Sequence, residues 1–250
     1  KLTQQIDTEN VKNILVFGAG GTIGSAILSQ LATTFPADQI TGVSRRPLAT
    51  GHASSHVRLH ACDYSSEDAL SDFSAFYESQ YNHVDQVIIT TGVLTATTDT
   101  PEKNAQQITE AELLENIRIN AVIPALIFKH FFQILARSSA PRFGALSARI
   151  GSISDNRLGG WYAYRMAKSA LNMFIKTASL ELKRKNKQSV VVGLHPGTVR
   201  TKFSEKFINN ATKNCFTPEA AASQLLDVFA ALRPAQSGGC FAWDGSEILP

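Results

Sequence analysis

Tyr164 and Lys168 stand four residues apart in a stretch of helical character, a spacing that sets a phenol and an ammonium on one helix face. An unperturbed phenol titrates near pH 10, too high for proton transfer at neutral pH. A fixed cation beside it stabilises the phenolate and brings it toward the working range. Such pairs also arise by chance on many helices, so this one needs support from the rest of the chain. The support is Gly18-Ala19-Gly20-Gly21-Thr22-Ile23-Gly24, which follows an apolar run, Asn13 to Phe17, and opens a helix. There Gly18, Gly20 and Gly21 let the backbone turn tightly and approach a pyrophosphate. Free amides at the helix start, at Thr22 and Ile23, attract the anion, and Gly24 lets helix and strand pack closely. A flexible turn between two core elements is the plain alternative, and the position after the first strand favours the nucleotide site.

NAD would ask for an Asp or Glu roughly 20 residues further on, at the end of the second strand. Ser44-Arg45-Arg46 stands there instead, and two guanidinium groups with a hydroxyl suit the 2′-phosphate of NADP. The expected cofactor is therefore NADP in preference to NAD, against the ordinary reading of solvated loop arginines. Asp63, just after the third strand, is placed to reach an adenine amino group or, equally, to start the next helix.

The elements that position these residues alternate between apolar runs of strand length and longer helical segments, the pattern of a parallel sheet wound by crossover helices. Strands are expected at Asn13 to Phe17, Ile40 to Ser44, Val57 to Ala61, Val84 to Thr91, Arg142 to Ala148, Ser189 to His195 and Gly238 to Trp243. Helices are expected at Thr22 to Thr34, from Ser66 with Ser65 or Ser66 as cap, and from Thr109, with Glu112 three residues on, to about Arg137. Two more follow, at Tyr162 to Lys187 and from Thr217-Pro218-Glu219. Leu94 to Gln107 reads as a loop. No repeat, low-complexity tract or Pro/Gly linker divides the 250 residues, so one domain is expected.

Composition narrows the function classes. An apolar share of 44% with 18% charged residues is ordinary for a globular chain and too apolar for disorder. The net charge of +3 and scattered basic residues make no nucleic-acid footprint, and the run Lys183 to Lys187 suits a helix C-terminus. The densest apolar stretch, Ile117 to Leu135, is broken by Arg118, Asn120, Pro124, Lys129 and His130, which argues against a membrane span. Cys62, Cys215 and Cys240 are odd in number and far apart, which fits neither a disulfide framework nor a zinc cluster. No metal is expected. A reducing, cytoplasmic setting is, since Lys1 opens no basic-then-apolar leader.

Several motifs now coincide in order: Gly18, Gly20 and Gly24; Thr90-Thr91-Gly92 at the end of strand four; Asn120 in a helix; a serine after strand five; Tyr164 with Lys168; and Pro196-Gly197-Thr198-Val199-Arg200-Thr201 after strand six. Together they resemble the short-chain dehydrogenase/reductase family over nearly the whole chain, Asn13 to Trp243. Gly151-Ser152-Ile153-Ser154-Asp155-Asn156, Gly159-Gly160-Trp161-Tyr162-Ala163-Tyr164-Arg165 and Phe241-Ala242-Trp243-Asp244-Gly245 are similar to its carbonyl-reductase branch, which includes sniffer-like enzymes and the bacterial C-factor signalling proteins.

The resemblance implies an α/β, Rossmann-type, doubly wound parallel sheet of seven strands with helices on both faces. It implies Tyr164 as proton donor to a carbonyl, Lys168 holding the nicotinamide ribose and tuning the phenol, a serine fixing the substrate oxygen, and Asn120 supporting a proton relay. Thr90, Thr91 and Gly92 would flank the cofactor. Pro196, Gly197 and Thr198 would cover the nicotinamide, with Val199 and Thr201 touching its amide and phosphates. The family's second glycine is Thr22 here, and its Asn-Asn-Ala-Gly signature has become Ile89-Thr90-Thr91-Gly92. Ala148 stands where the family's serine often does, after Ser147, and Ser152 is selected as the hydroxyl. Turn formation is the bland role of Ser152, and backbone bonding that of Asn120. His195 is read as structural. Trp161, Tyr162 and Phe203 are candidates for a substrate cleft or, equally, for core.

The expected function is NADP(H)-dependent hydride transfer to a small carbonyl substrate, or from the alcohol. The alternative, kept open by Ala148, is a dinucleotide-binding signalling or sensor protein with vestigial turnover. Helices that are apolar around much of their circumference need cover on several sides, and the resemblance makes that cover a second subunit in a homodimer or homotetramer.

Overall fold

The computed structural model describes residues 11–36, 38–48, 57–201, 204 and 215–250. Phe203, a candidate from sequence for the substrate cleft or for core, lies outside them.

Short β-branched and apolar runs form the strands β1 (Asn13–Phe17), β2 (Gln39–Ser44), β3 (Val57–Ala61), β4 (Gln86–Ile89), β5 (Arg142–Leu146), β6 (Val190–His195), β7 (Thr198–Val199), β8 (Cys215–Phe216), β9 (Cys240–Ala242) and β10 (Glu247–Ile248). The main sheet has the order β10-β9-β6-β5-β4-β1-β2-β3. All its pairs are parallel except β9 with β10. Every residue of β1 is buried, because helices cover both faces. Ile14 and Val16 pack with α1 (Thr22–Thr34) and α6 (Pro218–Ala231), while Leu15 and Phe17 point to the opposite cluster beneath α2 (Glu67–Gln80), α4 (Ile123–Ala136) and α5 (Tyr162–Lys185). The period of two along the strand thus divides the core into two layers. Between β1 and β4 the winding reverses, and the ends of those strands open the crevice where doubly wound sheets bind ligands.

Seven strands were expected and the sheet has eight. Asp244-Gly245, a strong hairpin signal, turns the chain back after β9: Gly245 has φ +81°, Ser246 donates its N–H to Asp244 Oδ1 at 3.0 Å, and β10 pairs antiparallel with β9.

The helix expected from Thr109 to Arg137 is also altered. α3 (Glu110–Ile117) passes through one π turn, Arg118–Val122, before α4 begins. Pro124 has no N–H to donate to the preceding turn, and the widened turn absorbs the loss. The full run, Glu110–Ala136, is long and apolar enough to cross a membrane, and half of its most apolar window is buried in the core. Thr109 caps α3 by accepting the Glu112 N–H. The Glu112 carboxylate does not return to Thr109; it accepts from the amides of Ala96 and Thr97, at 2.8 and 2.6 Å, and pins the loop after β4.

Candidate active site

The glycine-rich turn lies at the switch point. Gly18 has φ +83°, a conformation costly for residues with a Cβ. A Cβ on Gly24 would lie 2.3 Å from the Gly18 carbonyl oxygen and 2.6 Å from Thr90 Oγ1, so strand and helix approach as closely as backbone allows. Thr90 donates its hydroxyl to the Phe17 carbonyl at 2.8 Å and locks β4 to β1. Gly21, in extended conformation, caps α1 with no side-chain hydrogen bond, and no acidic residue occupies the first turn. The N-terminal amides of α1 are thus presented, with the positive end of the helix dipole, to a cavity lined by Gly21, Thr22 and Ile23.

That cavity holds about 590 Å³ over the carboxyl ends of the strands. Thr90, Thr91 and Gly92 form the wall after β4, and Pro196, Gly197, Thr198, Val199 and Thr201 the wall after β6. Gly197, at φ +70°, packs so tightly that a Cβ would lie 2.9 Å from both Phe216 and Trp243. Thr91 Oγ1 and His195 Nδ1 are buried without a hydrogen-bond partner among the described residues, which leaves two polar atoms for a bound molecule.

α5 brings Tyr164 and Lys168 to the same cavity. Nothing in the sequence of α5 caps its start. Glu102, sixty residues earlier and buried, supplies the cap: its carbonyl accepts the Trp161 N–H at 2.6 Å and its carboxylate the Ala163 N–H at 3.3 Å. Arg165 holds the approach by donating to the Gly160 and Gly159 carbonyls at 2.9 and 3.2 Å. Lys168 places Nζ 5.6 Å from the Tyr164 ring centroid and donates to the Leu146 carbonyl at 2.8 Å. Burial lowers the ammonium to about 7 and raises the phenol well above its ordinary value. Burial thus acts on the phenol in the direction opposite to that expected of a neighbouring cation.

Asn120 does not line the cavity. It stands behind Gly92, in the π turn, fully buried. Its Oδ1 accepts the Val93 N–H at 3.2 Å, and its amide donates to the Val93 carbonyl at 2.9 Å and to Asn116 Oδ1 at 2.7 Å. A Cβ on Gly92 would sit 2.9 Å from Asn120 Oδ1 and 3.6 Å from Lys168 Nζ. Asn120 and Lys168 thus approach the end of β4 from one side.

Ser152 is likewise not brought to the cavity. Its hydroxyl accepts the Asp155 N–H at 3.1 Å and meets Ser154 Oγ at 3.3 Å, a local turn of the kind serine favours. Ser147 and Ala148 form the wall in its place, with Ser147 donating to Asn172 Oδ1 at 2.6 Å. Asp63 stays at the start of α2, its Oδ1 accepting from the Ser65 amide and hydroxyl at 3.1 and 2.5 Å. These bonds hold its carboxyl below the usual range. Ser44 gives its hydroxyl to the Arg46 carbonyl. Arg45 and Arg46 are exposed after β2, outside the cavity lining, and Arg45 hydrogen-bonds the Tyr64 hydroxyl. Trp161 lines the cavity and Tyr162 does not.

Two ionisable lining residues were missed or misread from sequence. His195, expected to be structural, faces the cavity; burial first, then the nearby Arg149 charge, lowers its imidazole to about 4. Arg149 also lines the cavity, and no local motif marks it.

The fold and site together define a doubly wound, Rossmann-type α/β protein with a glycine turn at the switch point and a Tyr–Lys helix above the strand ends. Residues 12–212 match the short chain dehydrogenase family, and the chain belongs to it. It is 35% identical over 142 residues to an uncharacterized oxidoreductase of Saccharomyces cerevisiae, a match covering 54% of this chain and 55% of that relative. It is 33% identical over 138 residues to the C-signal protein of Myxococcus xanthus, covering 55% and 78%. The carbonyl reductase Sniffer of Drosophila melanogaster superposes with a TM-score of 0.83 at 20% identity over 96% of this chain and 100% of that one.

Proposed function

We propose that this chain is an NADP(H)-dependent oxidoreductase that transfers hydride between the nicotinamide and a small carbonyl or alcohol substrate, with Tyr164 as the acid/base. One observation carries the reading: Tyr164, Lys168 and the uncapped start of α1 wall a single cavity. The residues present fit a dinucleotide. The α1 amides suit the pyrophosphate, the Gly18–Gly24 cradle keeps side chains out of its way, and the unpartnered Thr91 Oγ1 and His195 Nδ1 are available to the nicotinamide end.

The bound cofactor would supply or accept the hydride. The chain's own part is to place the Tyr164 hydroxyl at the substrate oxygen, where negative charge develops, and to donate its proton there. A hydrogen-bond acceptor or anion in the cavity would favour the charged form of Lys168 and, through it, the phenolate needed for alcohol oxidation. Ser147, which lines the cavity where Ser152 does not, takes the place of Ser152 as the serine for this chemistry. Its proton is committed to Asn172, so it serves the substrate only after exchanging that bond.

The test is oxidation of NADPH by a panel of aldehydes and ketones. Absence of turnover with every compound, alongside retained dinucleotide binding, would favour the second reading, a dinucleotide-binding signalling protein, which Ala148 and the likeness to the C-signal protein support. Arg45 and Arg46 are proposed to read the 2′-phosphate. Because a hydrogen bond to a charged group contributes about 1.5–3 kcal/mol, replacing both by Ala should raise the Kd for NADPH at least tenfold and that for NADH less than twofold. Equal losses for the two cofactors would show that neither arginine makes the contact.

Met166, Met173 and Leu180 are exposed at intervals of seven along α5, with Leu114 and Val122 exposed on the neighbouring α3 and π turn. Such a stripe suits a second copy of the chain, and a homodimer or homotetramer is proposed. Met173→Glu should lower the mass found by sedimentation; a parent protein that already sediments as a monomer would rule the assembly out.

A further inference from the structure

The proposed reaction leaves one charged cavity residue, Arg149, without a role. Among the described lining residues, Arg149 and Lys168 are the formal cations, and none is Asp or Glu. Lys168 is buried and holds the Leu146 carbonyl, so Arg149 is the accessible charge. It follows Ala148 on the short turn Arg149–Gly151 after β5, beside Ile150, with Trp161 and Tyr164 on the same cavity. The start of α1, which suits the pyrophosphate, follows β1, two strands away and thus roughly 10 Å along the sheet. Arg149 therefore stands at the end of the cavity away from the start of α1.

The guanidinium is only loosely engaged. Its ion pair with Asp155 is long, at 3.5 Å, and both side chains are about half exposed, at 52% and 49%. Exposed pairs of this kind contribute little and exchange readily. Asp244, the other acid within its field, is exposed and already accepts the amide and hydroxyl of Ser246.

We propose that the substrate is a carbonyl compound bearing a carboxylate, and that Arg149 selects it by exchanging Asp155 for the substrate's carboxylate. A planar carboxylate matches the two-pronged guanidinium better than any other common anion of that size except phosphate, and Leu94, Ile150 and Trp161 accommodate the apolar body between the two ends. This rests on the reductase reading above. In the reduction, the carbonyl carbon gains a hydride from the reduced nicotinamide, the oxygen gains the Tyr164 proton, and the carboxylate is unchanged.

The test compares matched acids and methyl esters: 4-carboxybenzaldehyde with methyl 4-formylbenzoate, and 5-oxopentanoate with its methyl ester. The parent protein should favour the acid at least tenfold in kcat/KM. Arg149→Ala should lower that acid-to-ester ratio at least tenfold, and Asp155→Asn, which frees the guanidinium, should lower KM for the acid about two- to fivefold. Calorimetric binding of 4-(hydroxymethyl)benzoate to the NADPH-loaded protein gives a second readout that needs no turnover. Loss of that binding in Arg149→Ala supports the assignment even if no aldehyde is reduced, in which case only the reductase reading fails. A preference for the esters, or carboxylate binding no weaker in Arg149→Ala and Arg149→Gln than in the parent, overturns the Arg149 assignment and leaves the reductase reading standing.

Discussion

Tyr164→Phe should lower kcat for carbonyl reduction at least a hundredfold while changing the Kd for NADPH less than threefold. The substitution removes one oxygen and keeps the ring that Lys168 approaches at 5.6 Å, so the cavity wall and the lysine's bond to Leu146 persist. General acid catalysis contributes about 10²–10⁴-fold, which is roughly 3–5 kcal/mol of barrier at about 1.4 kcal/mol per factor of ten. A phenol ordinarily titrates near 10 and is protonated at neutral pH, and burial raises it further, so the acid required for reduction is in place there. Alcohol oxidation needs the phenolate and should rise as pH is raised. Turnover in Tyr164→Phe within tenfold of the parent would remove the phenol from the mechanism.

Gly24→Val should have the largest effect on folding and on cofactor binding together. The first added carbon would lie 2.3 Å from the Gly18 carbonyl oxygen and 2.9 Å from its carbon, and backbone at the end of β1 has no room to retreat. Overpacking of this kind costs about 1–3 kcal/mol or more, and each kcal/mol lowers the melting temperature of a chain this size by about 2–4 °C. A fall of about 2–12 °C is expected, with dinucleotide affinity reduced at least tenfold because α1 is pushed off its strand. Gly20→Ala is the contrast: its Cβ would meet a Leu48 methyl group at 3.0 Å and, at ordinary contact distance, the Ser44 Cβ at 3.8 Å, so the melting temperature should fall less. A Gly24→Val protein that melts within 2 °C of the parent and binds NADPH normally would show that the close approach of strand and helix is dispensable.

Most of the sheet and much of the site were legible in the sequence because local rules dictate them. An apolar run followed by Gly18 and Gly24 encodes a turn, since the positive φ and the 2.3 Å approach exclude a side chain wherever the rest of the chain lies. Ser66, Thr109 and Thr217 cap their helices with their own hydroxyls, three residues from the amides they serve. The spacing of four between Tyr164 and Lys168 is likewise a property of one helix. The hairpin at Asp244-Gly245 was legible by the same local rules but was not read, and the strand count was wrong for that reason; the helix after Thr109 runs unbroken to Ala136 and differs from expectation only in its one widened turn.

Other features depend on partners far apart in sequence, and no local pattern encodes them. Ser147 and Ser152 are chemically alike. The pleat of β5, which turns Ser147 toward Asn172 on α5, and the turn that captures Ser152 decide which of them meets the cavity. Glu102 caps a helix sixty residues away, and Asn120 becomes a tie to Val93 across a turn that only packing creates. Arg149 and His195 look ordinary along the chain and become cavity residues because β5 and β6 are neighbours. Short-range sterics and periodicity set the parallel α/β winding, the glycine turn and the Tyr–Lys face, so these were readable along the chain. The tertiary structure alone decided which hydroxyl and which cation reach the cavity, and whether burial or a neighbouring charge governs Tyr164, because desolvation and long-range contacts exist only once the layers have closed.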